Sequence, residues 1–131
     1  MTPRRSKILV VDDDVSVLRA LLRMLRANDY VTEGAVDGLA ALDALRTSDF
    51  DCLLSDIDMP MLDGLGLAQR VRVLWPTLPV ILFSGAHDRR AEARRGSLGV
   101  HAILSKPMTS EALCDAVEAA IDDARSLVGP R

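Results

Sequence analysis

A chain of 131 residues with 16 basic and 19 acidic side chains, net charge −3, is one domain's worth and can bury roughly two-thirds of the surface its unfolded form exposes. Its 49% hydrophobic content is aliphatic, with Tyr30, Phe50, Trp75 and Phe83 as the aromatics, which argues against a stacking platform for single-stranded nucleic acid, as the charge argues against a general electrostatic grip on DNA. The basic stretch Met1 to Ser6 leads into an apolar run too short for a signal peptide or membrane span, and Cys52 and Cys114 have no metal-binding spacing, so two reduced core thiols in a cytoplasmic protein are expected.

Along the chain, short continuous apolar runs alternate with helical spacing, the sign of repeated βα units and a parallel sheet. Ile8 to Val11 reads as a strand ending in Asp12-Asp13. Asp14 then caps a helix with Leu18, Leu21, Leu22 and Leu25 on its apolar face, ended by Asn28-Asp29. Tyr30 to Val36, with Thr32, Glu33 and Gly34, is a weaker strand suited to an edge. Asp37-Gly38 opens a second helix with Leu39, Leu42 and Leu45 on one side. Cys52 to Asp56 forms the third strand, followed by the loop Ile57 to Asp63 and a helix from Gly64 with Leu67, Val71 and Leu74 inward, punctuated by Pro76 and Pro79.

The fourth strand runs from Val80 to Ser84, and Asp88 to Leu98 makes a short polar helix whose C-terminal end is bracketed by Gly96 and Gly99. Few apolar positions make it the least firmly held helix. Ile103 to Ser105 leads into Lys106-Pro107, and Thr109 or Ser110 caps a last helix that buries Leu113, Ala116, Val117, Ala120 and Ile121, with Ser126 to Arg131 as a tail. The chain divides into a flexible segment 1–6, a domain 7–123 and a tail or start of a linker 124–131. No internal repeat or low-complexity stretch interrupts it.

Four apolar runs thus end in polar residues, and in an open parallel sheet such ends converge on one ligand site. Asp12 and Asp13 repel each other unless a hard divalent cation binds, and oxygen-only ligands suit Mg2+; Asp14 is left to capping. Asp56 ends a run that should be buried, where a carboxylate is costly unless paired or chemically used, and it can accept a phosphoryl group as an acyl phosphate. Lys106 pairs with Asp56 or a phosphate. Ser84 offers a hydroxyl, and the amides of Ile57, Asp58 and Gly85 offer backbone donors.

With Asp12-Asp13 after the first strand, the segment Asp56-Ile57-Asp58-Met59-Pro60-Met61-Leu62-Asp63-Gly64, the Ser84-Gly85 step and Lys106-Pro107 in order, the chain resembles the receiver domain of two-component response regulators over about Lys7 to Asp123. The resemblance implies a doubly wound (βα)5 flavodoxin-like fold, α/β, with a five-stranded parallel sheet of order 2-1-3-4-5 and helices on both faces. It implies that Asp56 takes a phosphoryl group from a phosphohistidine of a sensor kinase or phosphotransfer protein. Asp13, Asp56 and the Asp58 backbone carbonyl would hold Mg2+ directly, and Asp12 through water. Lys106 would follow the phosphate, oriented by a cis peptide to Pro107, with Ser84 as the switch hydroxyl and Ser84, Gly85 and Lys106 as the phosphoryl-binding set.

Where the family usually carries Tyr or Phe, three residues before the lysine, this chain has Ile103, so the switch is expected to be read through the Ser84 to Asp88 loop and the fourth helix. Asp58 and Ala86 occupy positions that influence phosphoryl lifetime in the family. Arg89, Arg90, Arg94 and Arg95 suit a partner or homodimer face as well as a solvated one; His87 and His101 receive no role. Competing readings are a haloacid-dehalogenase-type phosphatase with Asp56 as nucleophile and Asp58 as general acid, and a docking module that is never phosphorylated. The domain itself is expected to be no enzyme beyond its own phosphorylation and dephosphorylation. No output domain follows Asp123, so output is expected through a partner or a further domain.

Overall fold

The computed structural model describes residues 5–85 and 88–128, with side chains to residue 126. The residues 1–4 of the expected flexible segment, Ala86, His87 and the last three residues of the expected tail lie outside the described residues. Five strands and five helices alternate: β1 Lys7–Val11, α1 Val15–Arg26, β2 Val31–Ala35, α2 Gly38–Thr47, β3 Cys52–Asp56, α3 Gly64–Leu74, β4 Val80–Ser84, α4 Arg89–Leu98, β5 Val100–Ser105 and α5 Ser110–Val128. All strand pairs are parallel, in the order β2-β1-β3-β4-β5. β2 is an edge, as its polar composition suggests.

The strands of the interior read as continuous apolar runs because both sheet faces are covered. Alternation sends Leu9, Val11, Leu53, Val80 and Leu82 to one face, with α2, α3 and α4 packed on them. Ile8, Val10, Cys52, Leu54, Ile81 and Phe83 go to the other, under α1 and α5. Leu18, Leu21 and Leu25 of α1 and Leu113, Val117, Ala120 and Ile121 of α5 are buried there. Only Ala91 and Leu98 of α4 are buried, in keeping with its polar sequence.

Aspartates start most of the helices. Asp14 accepts hydrogen bonds from the amides of Ser16 and Val17, Asp37 from Ala40, Asp63 from Gly66, and Asp88 from Arg90 and Ala91. Each satisfies backbone donors that a helix leaves unpaired and places negative charge at the positive end of the dipole. Thr109 caps α5 without a charge, its hydroxyl oxygen accepting from the amide of Ala112. Gly99 ends α4 with φ +66°, a left-handed conformation that suits glycine.

Four sequence expectations need correction. Leu39 and Leu74 are 44% and 55% exposed, and the inward positions include Ala41 in α2 and Leu65 and Ala68 in α3. Cys114 is only partly buried, unlike Cys52. Helix α5 continues to Val128, because no breaker intervenes before Gly129, so Ser126 begins no tail.

Candidate functional site

Strand register builds the site before any side chain is considered. Val11 lies opposite Ser55, Asp56 opposite Phe83, and Ser84 opposite Ser105. Asp12, Asp56, Ser84 and Lys106 therefore stand in a row at the carboxyl edge of the sheet, where the parallel strands deliver their ends. The backbone ties the row together: the Ile57 amide donates to the Phe83 carbonyl at 2.9 Å and the Lys106 amide to the Ser84 carbonyl at 2.8 Å. The Ile57 amide is thus spent inside the sheet and is no phosphoryl donor, a correction to the sequence reading.

Behind Asp56 the packing is tight. A Cβ at Gly64 would collide with the backbone oxygen of Asp56 and approach Ile57 Cα to 2.8 Å. The Gly64 amide donates to the Ile57 carbonyl at 2.9 Å. Glycine is therefore what lets α3 start directly against the end of β3.

Lys106 is the central cation. Its Nζ lies 3.2 Å from Asp12 Oδ2 and 3.3 Å from Asp56 Oδ2, and 5.2 Å from the centre of the Phe83 ring, within cation–π range. Burial alone would lower the lysine pKa, but the Asp12 and then the Asp56 charge outweigh it, and the net shift is upward. Asp56 is also raised, first by burial, then by the Asp12 charge, with Lys106 pulling the other way. The Lys106–Pro107 peptide is cis, as the family resemblance implied.

Oxygen atoms of Asp12, Asp13 and Asp56 all lie within 4.8 Å of one another. Asp12 Oδ1 accepts from the Asp14 amide at 2.8 Å. Its buried Oδ2 has the lysine as an ion-pair neighbour but accepts no aligned hydrogen bond. A hard divalent cation fits this set: all donors are oxygen, their charge exceeds that of the single lysine, and one buried oxygen has acceptor capacity to spare. Asp13 is exposed, on the open side of the cluster.

The Asp58 carboxylate is not among those three. It is solvent-exposed and accepts a hydrogen bond from Ser84 Oγ at 3.3 Å, while the Asp58 amide makes a long 3.4 Å contact to Asp56 Oδ1. Ser84 itself is buried. Gly85 is exposed, with nothing within 4 Å of where a Cβ would stand, so its backbone borders open space. Ile103, at the position where an aromatic was expected, is partly buried against the α2–α4 side of the core. The contact between Asp58 and Ser84 was not foreseen from sequence, where the two residues were assigned to different tasks.

A family model described as response regulator receiver domain matches residues 8–118. Among curated proteins, the chain is 40% identical over 106 residues to the sensor histidine kinase RcsC of Salmonella typhi, covering 81% of this chain and 11% of that protein. It is 37% identical over 128 residues to the response regulator MprA of Mycobacterium avium, covering 92% of this chain and 56% of that one. The chain therefore spans a small part of the first and about half of the second. Among solved structures, a response regulator receiver domain protein from Clostridium thermocellum superposes with TM-score 0.87 at 25% identity, covering 93% of this chain and 98% of that one. The signal receiver domain of an HD domain-containing protein from Pseudomonas fluorescens Pf-5 gives 0.88 at 30% identity, covering 94% and 99%.

Proposed function

The chain belongs to the response regulator receiver domain family of two-component signalling, and on that premise we propose that Asp56 accepts a phosphoryl group from a phosphohistidine on a sensor kinase or histidine phosphotransfer protein. An Asp56 carboxylate oxygen forms the new P–O bond as the P–N bond breaks, and the departing imidazole keeps its electron pair and takes a proton. The observation that carries this reading is the single lysine standing 3.2 and 3.3 Å from the Asp12 and Asp56 carboxylates at the edge where the strand ends meet. Phosphoryl transfer asks for positioning and charge neutralisation rather than covalent help from the protein.

The residues have separate parts in that task. Lys106 offsets the Asp56 charge before transfer and can follow the phosphoryl oxygens afterward. Asp12, Asp13 and Asp56, with the Asp58 backbone carbonyl, would hold Mg2+, which when bound neutralises charge on the phosphoryl oxygens. Ser84 and the Gly85 amide can donate to the phosphoryl group. The haloacid-dehalogenase alternative is less well supported, since the carboxylate it would use as general acid, Asp58, is engaged by Ser84.

The domain is a signalling module; among the described residues no helix is long and apolar enough to cross a membrane. The reading extends to a cytoplasmic setting, to a domain spanning 7–123, and to output through a partner or a further domain. The arginine face of α4 together with α5 is where a homodimer would form. The test is intact-protein mass after incubation with acetyl phosphate, with and without Mg2+, for the wild type beside Asp56→Asn. One Mg2+-dependent phosphoryl adduct absent from the variant is expected; a folded wild type that gains none, from acetyl phosphate or from a phosphohistidine donor, would overturn the reading.

A further inference from the structure

We propose that the Asp58 side chain is a positioning residue that holds the Ser84 hydroxyl away from the phosphoryl position until Asp56 is phosphorylated, an inference that rests on the phosphoacceptor reading above. A serine hydroxyl has one proton to donate. In the structure it is directed to Asp58 Oδ2 at 3.3 Å, across 26 residues of sequence. An acyl phosphate on Asp56 would need that same proton, so the two acceptors compete for one donor.

Charge makes the competition one-sided in each state. Before phosphorylation the carboxylate is the better partner for Ser84, because hydrogen bonds to an ionised acceptor are stronger than neutral ones. After it, a group carrying roughly two negative charges stands beside the acceptor strand, and the Asp58 carboxylate, whose own amide already contacts Asp56 Oδ1 at 3.4 Å, meets like charge at short range. The event that creates the new acceptor also repels the old one. The exposure of Asp58 gives its carboxylate room to swing into water, whereas Ser84 is buried at the strand end beside the site. The latch acts through the side chain alone; the Asp58 backbone carbonyl, assigned to Mg2+, survives any substitution.

The experiment measures the affinity of the acyl-phosphate analogue beryllofluoride at saturating Mg2+, by calorimetry, for the wild type, Asp58→Ala, Asp58→Asn, Ser84→Ala and the two double variants. Removing the competing acceptor should tighten binding about three- to tenfold when Ser84 is present. Asp58→Asn, which keeps a neutral acceptor, should fall between wild type and Asp58→Ala. In the Ser84→Ala background the two Asp58 variants should behave alike. Equal tightening by Asp58→Ala with and without Ser84 would mean that Asp58 acts by charge alone and would overturn the latch, as would weaker binding by Asp58→Ala. Binding of beryllofluoride without this coupling would leave the phosphoacceptor reading standing and remove only the latch. A folded wild type that binds none would overturn both.

Discussion

At Asp56 burial and the Asp12 charge disfavour the ionised carboxyl, Lys106 favours it, and the first two win, so its pKa is raised in the folded protein. A raised carboxyl pKa means that the folded state loses stability as the pH rises through that pKa, relative to an uncharged group at the same place. Asp56→Asn should therefore raise the Tm by a few degrees at neutral pH without Mg2+, and thermal melts should show the gain shrinking as the pH falls below the Asp56 pKa. An unchanged difference across that range would mean that the charge does not strain the fold. Cys52 is a second residue governed by burial, which with the Asp51 charge pushes its thiol up to about 12, leaving it unreactive at neutral pH. The sequence exposed Asp12, Asp56, Ser84 and Lys106 because each terminates an apolar run and is costly there without a use. It did not expose the Asp58–Ser84 contact, which depends on side-chain orientations at the end of β4 and on the loop after β3 that no periodicity encodes.

Among the elements, α4 depends most on its ends, since it buries little. Asp88 takes hydrogen bonds from the Ala91 and Arg90 amides, and the Ala91 bond, with Arg90 beside it, holds its carboxyl below the ordinary value of 3.8. A depressed carboxyl pKa contributes stability that is fully present above the unfolded value and lost as the pH falls through the folded one. Asp88→Ala should cost about 1 kcal/mol near neutral pH, seen as faster amide exchange confined to α4, and the difference from wild type should fade in acid. Equal protection of α4 in both proteins would contradict this. Strands and helix starts were legible in sequence because apolar runs and aspartate caps are local signals. Leu39 and Leu74 were misread because periodicity marks the face of a helix without showing how far the sheet beneath it extends, and both stand at helix ends.

At the scale of the whole molecule, the sheet separates two cores, one with α2, α3 and α4, the other with α1 and α5. Val71→Ala and Val117→Ala, on opposite sides, should each cost about 2 kcal/mol, and urea unfolding of the double variant should return their sum to within about 0.5 kcal/mol. A larger departure would show that strain passes through the sheet. The overall topology was legible because alternating strand and helix patterns leave few arrangements for a parallel sheet. The register that levels Asp12, Asp56, Ser84 and Lys106 was not, since it is fixed only when both faces pack. That register has a consequence in time: Lys106 follows β5, the last of the five strands of this sheet to be synthesised. A nascent chain that has made Asp12 and Asp56 still lacks the lysine that pairs with both. The paired acidic site is therefore complete only after β5 has docked, and if Asp56 is the phosphoacceptor proposed above, an unfinished copy of the domain would present its carboxylates without their lysine.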